Sequence, residues 1–559
     1  KDIPESLLEA SGAAAAAASR ISTSRFTLTA QREYPPERDV SGELPRIGVF
    51  VCHCGSNIAG YLDVQKVTEY AAGLNPYLFE MANIRNQCSW VHSTDREAAT
   101  QKSCELIRMA VARAALLKAQ QTIDVPVTPG ALVVGGGAAG MTAALSLAEQ
   151  GFPVHLVEKE AELGGNLRYV HIPLNGRDPQ QTLHRLVAKT LAHSGITVYL
   201  NSQVVGTRGF KGNFTSIIED GQGTRFEVSH GATILAIGAS EYRGNEYGFG
   251  EDLHVITQQQ FEALLINQPQ AIRALNTVAM ILCVGPAEKY CSRICCTVAL
   301  KNAIALKQHN PEAQVLILYK DIRTYGFKEQ LYTKARQLGV LFIRYTNEHP
   351  PDVKWETGIL RLDAWDILLK RVITVQPDLI VLSMPLVPNR DAHTRAALFK
   401  VPLAMDGFFL EAHVKLRPVD FSTEGVYMAG LAHYPKLLEE SLIQAQAAAA
   451  RAARVLSRKT LIAGGSVAVV DESLCTGCLT CVRICPFKVP KIEPDRNGVG
   501  KILGAAYIEP AVCQGCGLCA AECPARAIQL MHYTDAQMIA KTRALLQPNK
   551  PFLPVEILA

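Results

Sequence analysis

The sequence predicts an α/β fold followed by a smaller α+β domain near its C-terminal end, on three observations. Short apolar strands alternate with helical stretches between residues 130 and 400, a glycine-rich turn joins the first strand to its helix, and two cysteine runs of identical spacing stand at 475–486 and 513–524. Composition agrees. Of 559 residues, 48 % are apolar and 19 % charged, which suits several large cores and argues against disorder. A net charge of +4 gives no reason to expect nucleic acid or an anionic membrane surface as a partner. No run of 18 or more apolar residues occurs, so no direct membrane insertion is expected.

Residues 1–45 read as a helix with an alanine run at 13–18 and a linker marked by Pro35-Pro36. The opening KDIPESLLEASGAAAAAASRI runs in register with KLLEESLIQAQAAAARAARV at 436–455: the Lys, the Glu-Ser-Leu and the alanine run coincide. Either two alanine-rich helices agree by composition, or residues 1–22 close a further unit upstream. On the second reading the chain, which begins on Lys1 rather than Met, is the tail of a longer duplicated protein. Residues 46–125 form a small mixed domain with a strand at 46–51 and a helix at 99–119.

Residues 126–275 carry a dinucleotide signature. A strand at 132–134 meets Gly135-Gly136-Gly137-Ala138-Ala139-Gly140 and then a helix at 141–149. Gly135 allows the tight turn, Gly137 lets a pyrophosphate approach the helix N-terminus, and Gly140 lets helix and strand pack closely. The next strand, 154–157, ends at Glu158, 18 residues after Gly140, where a carboxylate is expected to bond ribose hydroxyls, with Lys159 beside it. Three further stretches favour FAD over NAD: Gly165-Asn166-Leu167 after the acidic strand, TILAIG at 233–238 with Ala236 and Gly238, and GVYMAG at 425–430 ending on Gly430. They resemble the motifs of two-dinucleotide-binding-domain, thioredoxin-reductase-like flavoproteins. The Asp usual after the last glycine is replaced by Leu431, so backbone groups or Gln444 are expected to contact the flavin; Val204 completes the candidate set.

Residues 276–400 read as a second α/β unit, with strands at 277–283, 314–319 and 340–345 and helices at 296–308 and 328–337. No glycine-rich phosphate loop follows its first strand, so a nicotinamide site is read as lost. Cys283, Cys291, Cys295 and Cys296 stand there instead, in ILCVGPAEKYCSRICC. They suit one metal centre at a helix start, where partial positive charge favours thiolates; buried structural thiols or a redox disulfide are the alternatives. Residues 401–460 return to the flavin domain.

Residues 461–535 contain Cys475, Cys478, Cys481 and Cys485 before Pro486, then Cys513, Cys516, Cys519 and Cys523 before Pro524. This is the two-cluster ferredoxin spacing, in which each run lends its fourth cysteine to the other cluster. Cys475, Cys478, Cys481 and Cys523 are assigned to one [4Fe–4S] cluster, and Cys513, Cys516, Cys519 and Cys485 to the second. Zinc or disulfides do not account for the Cys-x3-Cys-Pro endings. Residues 536–559 read as a tail. Sixteen cysteines, crowded as these are, call for a reducing compartment, so a cytoplasmic location is expected.

CHCG at 52–55, NPYLFEMANIRNQCSWVH at 75–92, the YCSRICC run and the tandem cysteine motifs together resemble the A-type subunits of heterodisulfide reductases. The resemblance spans about residues 46–535. It implies that Cys283, Cys291, Cys295 and Cys296 ligate a third [4Fe–4S] cluster beside the FAD, and that Lys301 approaches flavin N5. It implies an oxidoreductase subunit in flavin and iron–sulfur electron transfer, with electron bifurcation. A non-bifurcating conduit of a quinone-interacting or aromatic-acyl-CoA reductase complex is the alternative. The implied partners are B- and C-type subunits, ferredoxin, and an electron-input subunit such as a hydrogenase, a formate dehydrogenase or a small iron–sulfur adaptor, around a dimer of this chain. Three departures stand out. About 50–70 residues of a strand–helix stretch are missing after Ala72. No further ferredoxin module interrupts 213–220. Gln260, in TQQQFE at 257–262, takes the place of a family carboxylate. A metal role for Cys52 and Cys54 is less favoured than spare thiols, and Cys88 and Cys104 carry no assignment.

One FAD and three clusters correspond to roughly 12 iron atoms per chain. Iron analysis with Mössbauer spectroscopy checks this count; about eight irons would remove the Cys283–Cys296 cluster.

Overall fold

Strands that are apolar on both faces become the centre of a parallel sheet, and this chain has two such sets. The computed structural model describes residues 2–27, 36, 39, 42, 75–120, 122–174, 176–285, 290–356 and 359–546; the strand expected at 46–51, with Cys52 and Cys54, lies outside them. The chain divides into two units, Lys1–Arg25 with Pro126–Lys459, and Phe26–Val125 with Thr460–Ala559.

The elements that build the first unit are, in chain order, α1 (Ile3–Arg20), β1 (Ala131–Val134), α2 (Ala138–Ala148), β2 (Val154–Val157), β3 (Ile196–Tyr199), β4 (Ala232–Leu235), β5 (Val255–Thr257), α3 (Gln258–Asn267), β6 (Thr277–Ile281), α4 (Cys295–His309), β7 (Gln314–Tyr319), β8 (Leu341–Arg344), β9 (Leu379–Leu382), β10 (Val426–Met428) and α5 (Leu438–Leu456). The first sheet has the order β10-β4-β1-β2-β3 and the second β5-β9-β6-β7-β8, and every neighbouring pair is parallel. The two share a plan. From β1, or from β6, the chain winds one way through the next two strands, then crosses to the other side for the fourth. Strand order therefore reverses at β1/β4 and at β6/β9, and such reversals leave a crevice at the carboxyl ends of the strands. The fifth position is filled from opposite ends: β10 comes from late in the chain, β5 from before β6. The second sheet thus starts at Val255, earlier than the boundary at 275 expected from sequence.

Both faces of each sheet are covered, as parallel sheets require. Val133, Leu156 and Ile234 pack with Met141, Leu145, Ala445 and Ala448 of α2 and α5, while Leu132 and Leu235 face Phe409 and Phe421. Antiparallel sheets formed by Ser202–Phe210, Asn213–Asp220 and Arg225–His230, and by Asp352–Glu356, Ile359–Asp366 and Arg371–Val375, are set into the two halves.

Helix α1 is capped by Asp2, whose carboxylate accepts from the Glu5 N–H at 2.9 Å. It lies along α5 of this chain. Leu8 joins the core, and Gly12 is buried so tightly that a Cβ there would meet Gln446 Oε1 at 3.3 Å. Arg25 fastens its end, donating to Gln150 O at 2.6 Å with its guanidinium 4.2 Å from the Phe152 ring centroid.

In the second unit, the described residues 75–120 fall into one body with those of 461–535, and the expected tail begins as a helix, Asp535–Leu546. That helix packs on Arg96–Ala114: Arg108 donates to Ala544 O at 2.7 Å, and Gln537 to Leu116 O at 2.9 Å. The buried Glu80 carboxylate pairs with Arg113 and, at 3.2 Å, with Lys541. The cysteine runs sit on short helices, Thr480–Ile484 and Leu518–Ala521, flanked by two antiparallel strand pairs. Among the described residues no helix is long and apolar enough to cross a membrane.

Gly140 controls the first crevice, because a Cβ there would lie 1.7 Å from the Gly135 carbonyl oxygen. Gly140→Ala is expected to destabilise the first unit by at least about 2 kcal/mol through this backbone clash. Chemical denaturation followed by tryptophan and flavin signals checks the loss.

Candidate functional site

The crevice at β1/β4 opens into a cavity of about 830 Å³. Gly135, at φ +109°, turns the chain from β1, and Gly137 caps α2 with extended backbone. Buried Glu158 holds this loop: its Oε2 accepts from the Gly136 N–H at 2.5 Å and its Oε1 from the Glu160 N–H at 2.9 Å. Gly135, Gly137, Ala138, Ala139, Glu158, Lys159, Gly165, Asn166, Leu167, Val204, Ala236 and Gly238 all line the cavity. Asn166 is fixed by donating to Ala239 O at 2.8 Å. A cleft of this size and mixed lining suits a dinucleotide, with glycines wherever its backbone must come close.

Gly140 packs behind this wall, as expected. Gly430 and Gln444 differ from expectation, because neither lines the cavity. Gly430, at φ +72°, lies against α2, where a Cβ would meet Ala139 Cβ at 2.7 Å. Its N–H donates to Gln444 Oε1 at 2.9 Å, so the fully buried Gln444 is spent inside the protein. Leu431 and Lys436 take the place on the wall expected of Gln444.

Lys301 stands on the second turn of α4 and reaches the cavity from the other half. It is 5 % exposed, and its Nζ donates to Glu262 Oε2 at 2.7 Å. Burial pulls the ammonium pKa below its ordinary value, and the Glu262 charge opposes that. Glu262 Oε1 also accepts from the His171 and Ile172 N–H groups, each at 2.6 Å. The charged partner of Lys301 is therefore Glu262, and not the position of Gln260. Gln260 is the third residue of α3, and its side chain turns back to accept from the Thr257 N–H at 2.8 Å, completing a capping box. Helix phase separates the two: Glu262 falls one turn after Gln258, and both are buried.

The crevice of the second sheet, at β6/β9, is where Cys283 follows β6, at φ +61°. α4, the helix in the place where a phosphate would be bound, begins with Cys295 and Cys296. Cys295 also lines the flavin-sized cavity. Burial and the neighbouring Cys296, Cys291 and Cys283 raise its thiol pKa, and burial raises that of Cys296 to about 11. Cys283 and Cys291 thus act on both Cys295 and Cys296.

In the second unit Cys475, Cys478, Cys481 and Cys523 line one small space with Ile492 and Ala506. These are the four residues grouped from spacing, the swapped one included. Cys519 is raised to about 11 by burial and then by Cys513, Cys485 and Cys516, the other expected set. Backbone N–H groups point at sulfur: Ala506 to Cys475 at 3.3 Å and Ala468 to Cys513 at 3.5 Å. Among the described residues no group of three or more His, Cys, Asp or Glu could hold a metal ion. A four-iron cube differs from an ion in that each thiolate meets its own corner iron, so thiols spaced around a void suit the cube.

Residues 133–199 match the family described as NAD(P)-binding Rossmann-like domain, and residues 474–527 that described as 4Fe-4S dicluster domain. An A-type iron–sulfur subunit of the CoB–CoM heterodisulfide reductase of Methanopyrus kandleri is 33 % identical over 81 % of this chain and 92 % of its own length. The chain belongs to the family of heterodisulfide reductase A-type subunits. The corresponding protein of Methanocaldococcus jannaschii is 31 % identical over 90 % of this chain and 99 % of its own. In Methanothermobacter marburgensis, the A-type subunit of the H2:CoB–CoM heterodisulfide, ferredoxin reductase is 30 % identical over 83 % and 93 %. The alignment with the Methanopyrus protein runs to 608 positions, longer than this chain's 559 residues, so the relative carries residues without counterpart here. Among solved structures, the thioredoxin reductase of T. acidophilum gives a TM-score of 0.42 at 14 % identity, over 58 % of this chain and 97 % of its own. As a member of this family the chain is an oxidoreductase subunit for flavin and iron–sulfur electron transfer.

Lys436, Arg395 and Glu262 are cavity residues that motif reading passed over. Lys436 had a signal, since it is the lysine that heads the internal repeat; Arg395, which donates to Val204 O and to Gln203 Oε1 at 2.9 Å, had none.

Glu262→Gln leaves a buried ammonium without its counter-charge and is expected to cost about 3 kcal/mol. Gln260→Ala removes only a cap and is expected to cost about 1 kcal/mol. Paired denaturation curves, with the flavin spectrum recorded for each, check the difference; equal losses would return the electrostatic role to Gln260.

Proposed function

We propose that this chain is the FAD-carrying, electron-bifurcating subunit of a cytoplasmic heterodisulfide-reductase-like complex. The observation that carries this reading is the shared cavity: the glycine loop, the Lys301–Glu262 pair and Cys295 stand on its walls. Gly135, Gly137, Ala138, Ala139 and Gly140 form the pyrophosphate turn, Glu158 and Lys159 attend the ribose, and Asn166, Leu167, Val204, Ala236 and Gly238 line the remainder. Bound there, FAD supplies the exchange between paired and single electrons, which three [4Fe–4S] clusters carry singly. Lys301 presents a cation held by Glu262 in a desolvated wall, where charge acts more strongly than in water. Cys283, Cys291, Cys295 and Cys296 would hold one cluster beside the cavity, and the two ferredoxin sets would hold the others. The name of the Methanothermobacter relative joins one donor to two acceptors, a heterodisulfide and ferredoxin, which favours bifurcation over a simple conduit. The partners of this reading are B- and C-type subunits, ferredoxin, and a hydrogenase, formate dehydrogenase or iron–sulfur adaptor.

Cys295→Ser tests the assignment. In the purified complex it is expected to remove about four irons per chain and one set of paramagnetic resonance signals, leaving the ferredoxin signals in place. Loss of every signal, or of none, would overturn it. For bifurcation, ferredoxin reduction is expected only while the second acceptor is present.

A further inference from the structure

Lys436 is a buried cation on the cavity wall, 4 % exposed, and its hydrogen-bonding neighbours are neutral. Its Nζ donates to Gln444 Oε1 at 2.6 Å, stands 3.5 Å from His433 Nδ1 and lies 3.8 Å from the centroid of the Tyr434 ring. His433 offers no counter-charge, since burial, and then the Lys436 charge, push it down to about 4. The two nearby carboxylates are engaged elsewhere. Glu411 Oε2 lies 2.9 Å from His433 Nε2. Glu440 pairs with Arg293, and it accepts from the Tyr325 hydroxyl at 3.1 Å and from the Leu437 N–H at 2.7 Å. A buried ammonium is costly unless an anion answers it. The other buried lysine of this wall has its anion, because Lys301 is paired with Glu262. That pair adds no net charge to the cavity; Lys436 adds one unit.

The order of the strands decides which part of a bound dinucleotide meets this charge. In β10-β4-β1-β2-β3 the glycine turn follows the central strand, β1. Glu158, at the ribose in the reading above, follows β2 on one side. Strands β4 and β10 lie on the other side, and Lys436 stands between β10 and α5 in the chain. A dinucleotide with its adenosine at Glu158 and its pyrophosphate at the start of α2 therefore runs toward β4 and β10 with its other end. The pyrophosphate already has the N-terminus of α2. The part left for the β10 side is the flavin ring.

We propose that Lys436 is the counter-charge of the reduced flavin ring, left without a carboxylate so that the ring supplies the anion. The proposal rests on the FAD reading above. A flavin ring that takes up two electrons and one proton gains one negative charge. The electrons come from the donor of the electron-transfer reaction, and the ring stays at one proton where a cation answers its charge. In a desolvated wall that attraction is far stronger than in water. Gln444 is the positioning residue: its Oε1, fixed by the Gly430 N–H at 2.9 Å, holds Nζ at the wall without bringing a charge of its own. Burial holds Lys436 well below the usual ammonium range; Glu440 and Glu411 oppose this, and Arg293 adds to it. An anion in the cavity favours the charged form further.

The test uses the full chain in its complex. Lys436→Met is expected to keep its FAD and to lower the two-electron potential of the flavin by about 30 mV, a tenfold loss of affinity for reduced relative to oxidised flavin. Lys436→Arg keeps the charge and is expected to recover more than half of that shift; no recovery would overturn charge as the cause. An unchanged potential in Lys436→Met would overturn the proposal, and an equal loss of affinity for both flavin states beside it would assign Lys436 to the pyrophosphate. Nitrogen-15 NMR of FAD labelled at N1, in the reduced and unaltered complex, is expected to show N1 without a proton. A protonated N1 would sink the proposal even if neither variant folded. Absence of FAD from the unaltered chain would instead sink the functional reading itself, so the two failures are distinguishable.

Discussion

Reversal of strand order in a parallel sheet is the constraint on which this molecule depends. Helices cover a parallel sheet on both faces, and only where the winding changes direction do strand ends stay uncovered. The first sheet puts glycines at that place, after β1, and the turn they make admits a long ligand. The second sheet puts Cys283 at the equivalent place and begins the following helix with Cys295 and Cys296. One architecture, used twice, offers a phosphate cradle in one half and a set of thiols in the other.

The wall shared by the two halves combines charge and burial in an unusual way. Lys301 and Lys436 both stand on the wall of one cavity, each nearly without solvent. Burying an ammonium is costly unless it is bonded, and each lysine is bonded differently. Lys301 has a carboxylate that is itself satisfied by two backbone N–H groups. Lys436 has a neutral amide and a neutral imidazole. The first arrangement keeps the positive charge in place; the second leaves it loosely held.

Much of this was legible in the sequence because glycine and cysteine act through their own backbone and sulfur. Gly135 and Gly140 are required by close approach to backbone, and the eight ferredoxin cysteines stand at a fixed spacing, so both show as local motifs. The Lys301–Glu262 pair was not read, because helix phase selects Glu262 from the run 257–262. Thr257 and Gln260 form a capping box, and that local bond removes Gln260 from the contest. Gln444 was misjudged for a related reason: a polar residue near a cofactor motif can be consumed by a single inward N–H. Arg395 was invisible, since its bonds to Gln203 and Val204 reach some 190 residues back along the chain. The place of α1 could not be read either, because a helix resembling α5 gives no sign that it packs on α5 itself.

The two halves around the cavity are also latched together. Glu262, from the second half, grips the backbone at 171–172 that follows the first helix turn of the cavity wall. Arg293 pairs with Glu440, and Lys328 with Glu439 at 2.9 Å, tying the cysteine-bearing half to the start of α5. Flavoproteins that reduce a diffusing carrier profit from halves that swing. Electron tunnelling makes the opposite demand, since its rate falls exponentially with the gap between donor and acceptor. Three polar contacts of this kind around one cavity oppose such a swing of the two halves.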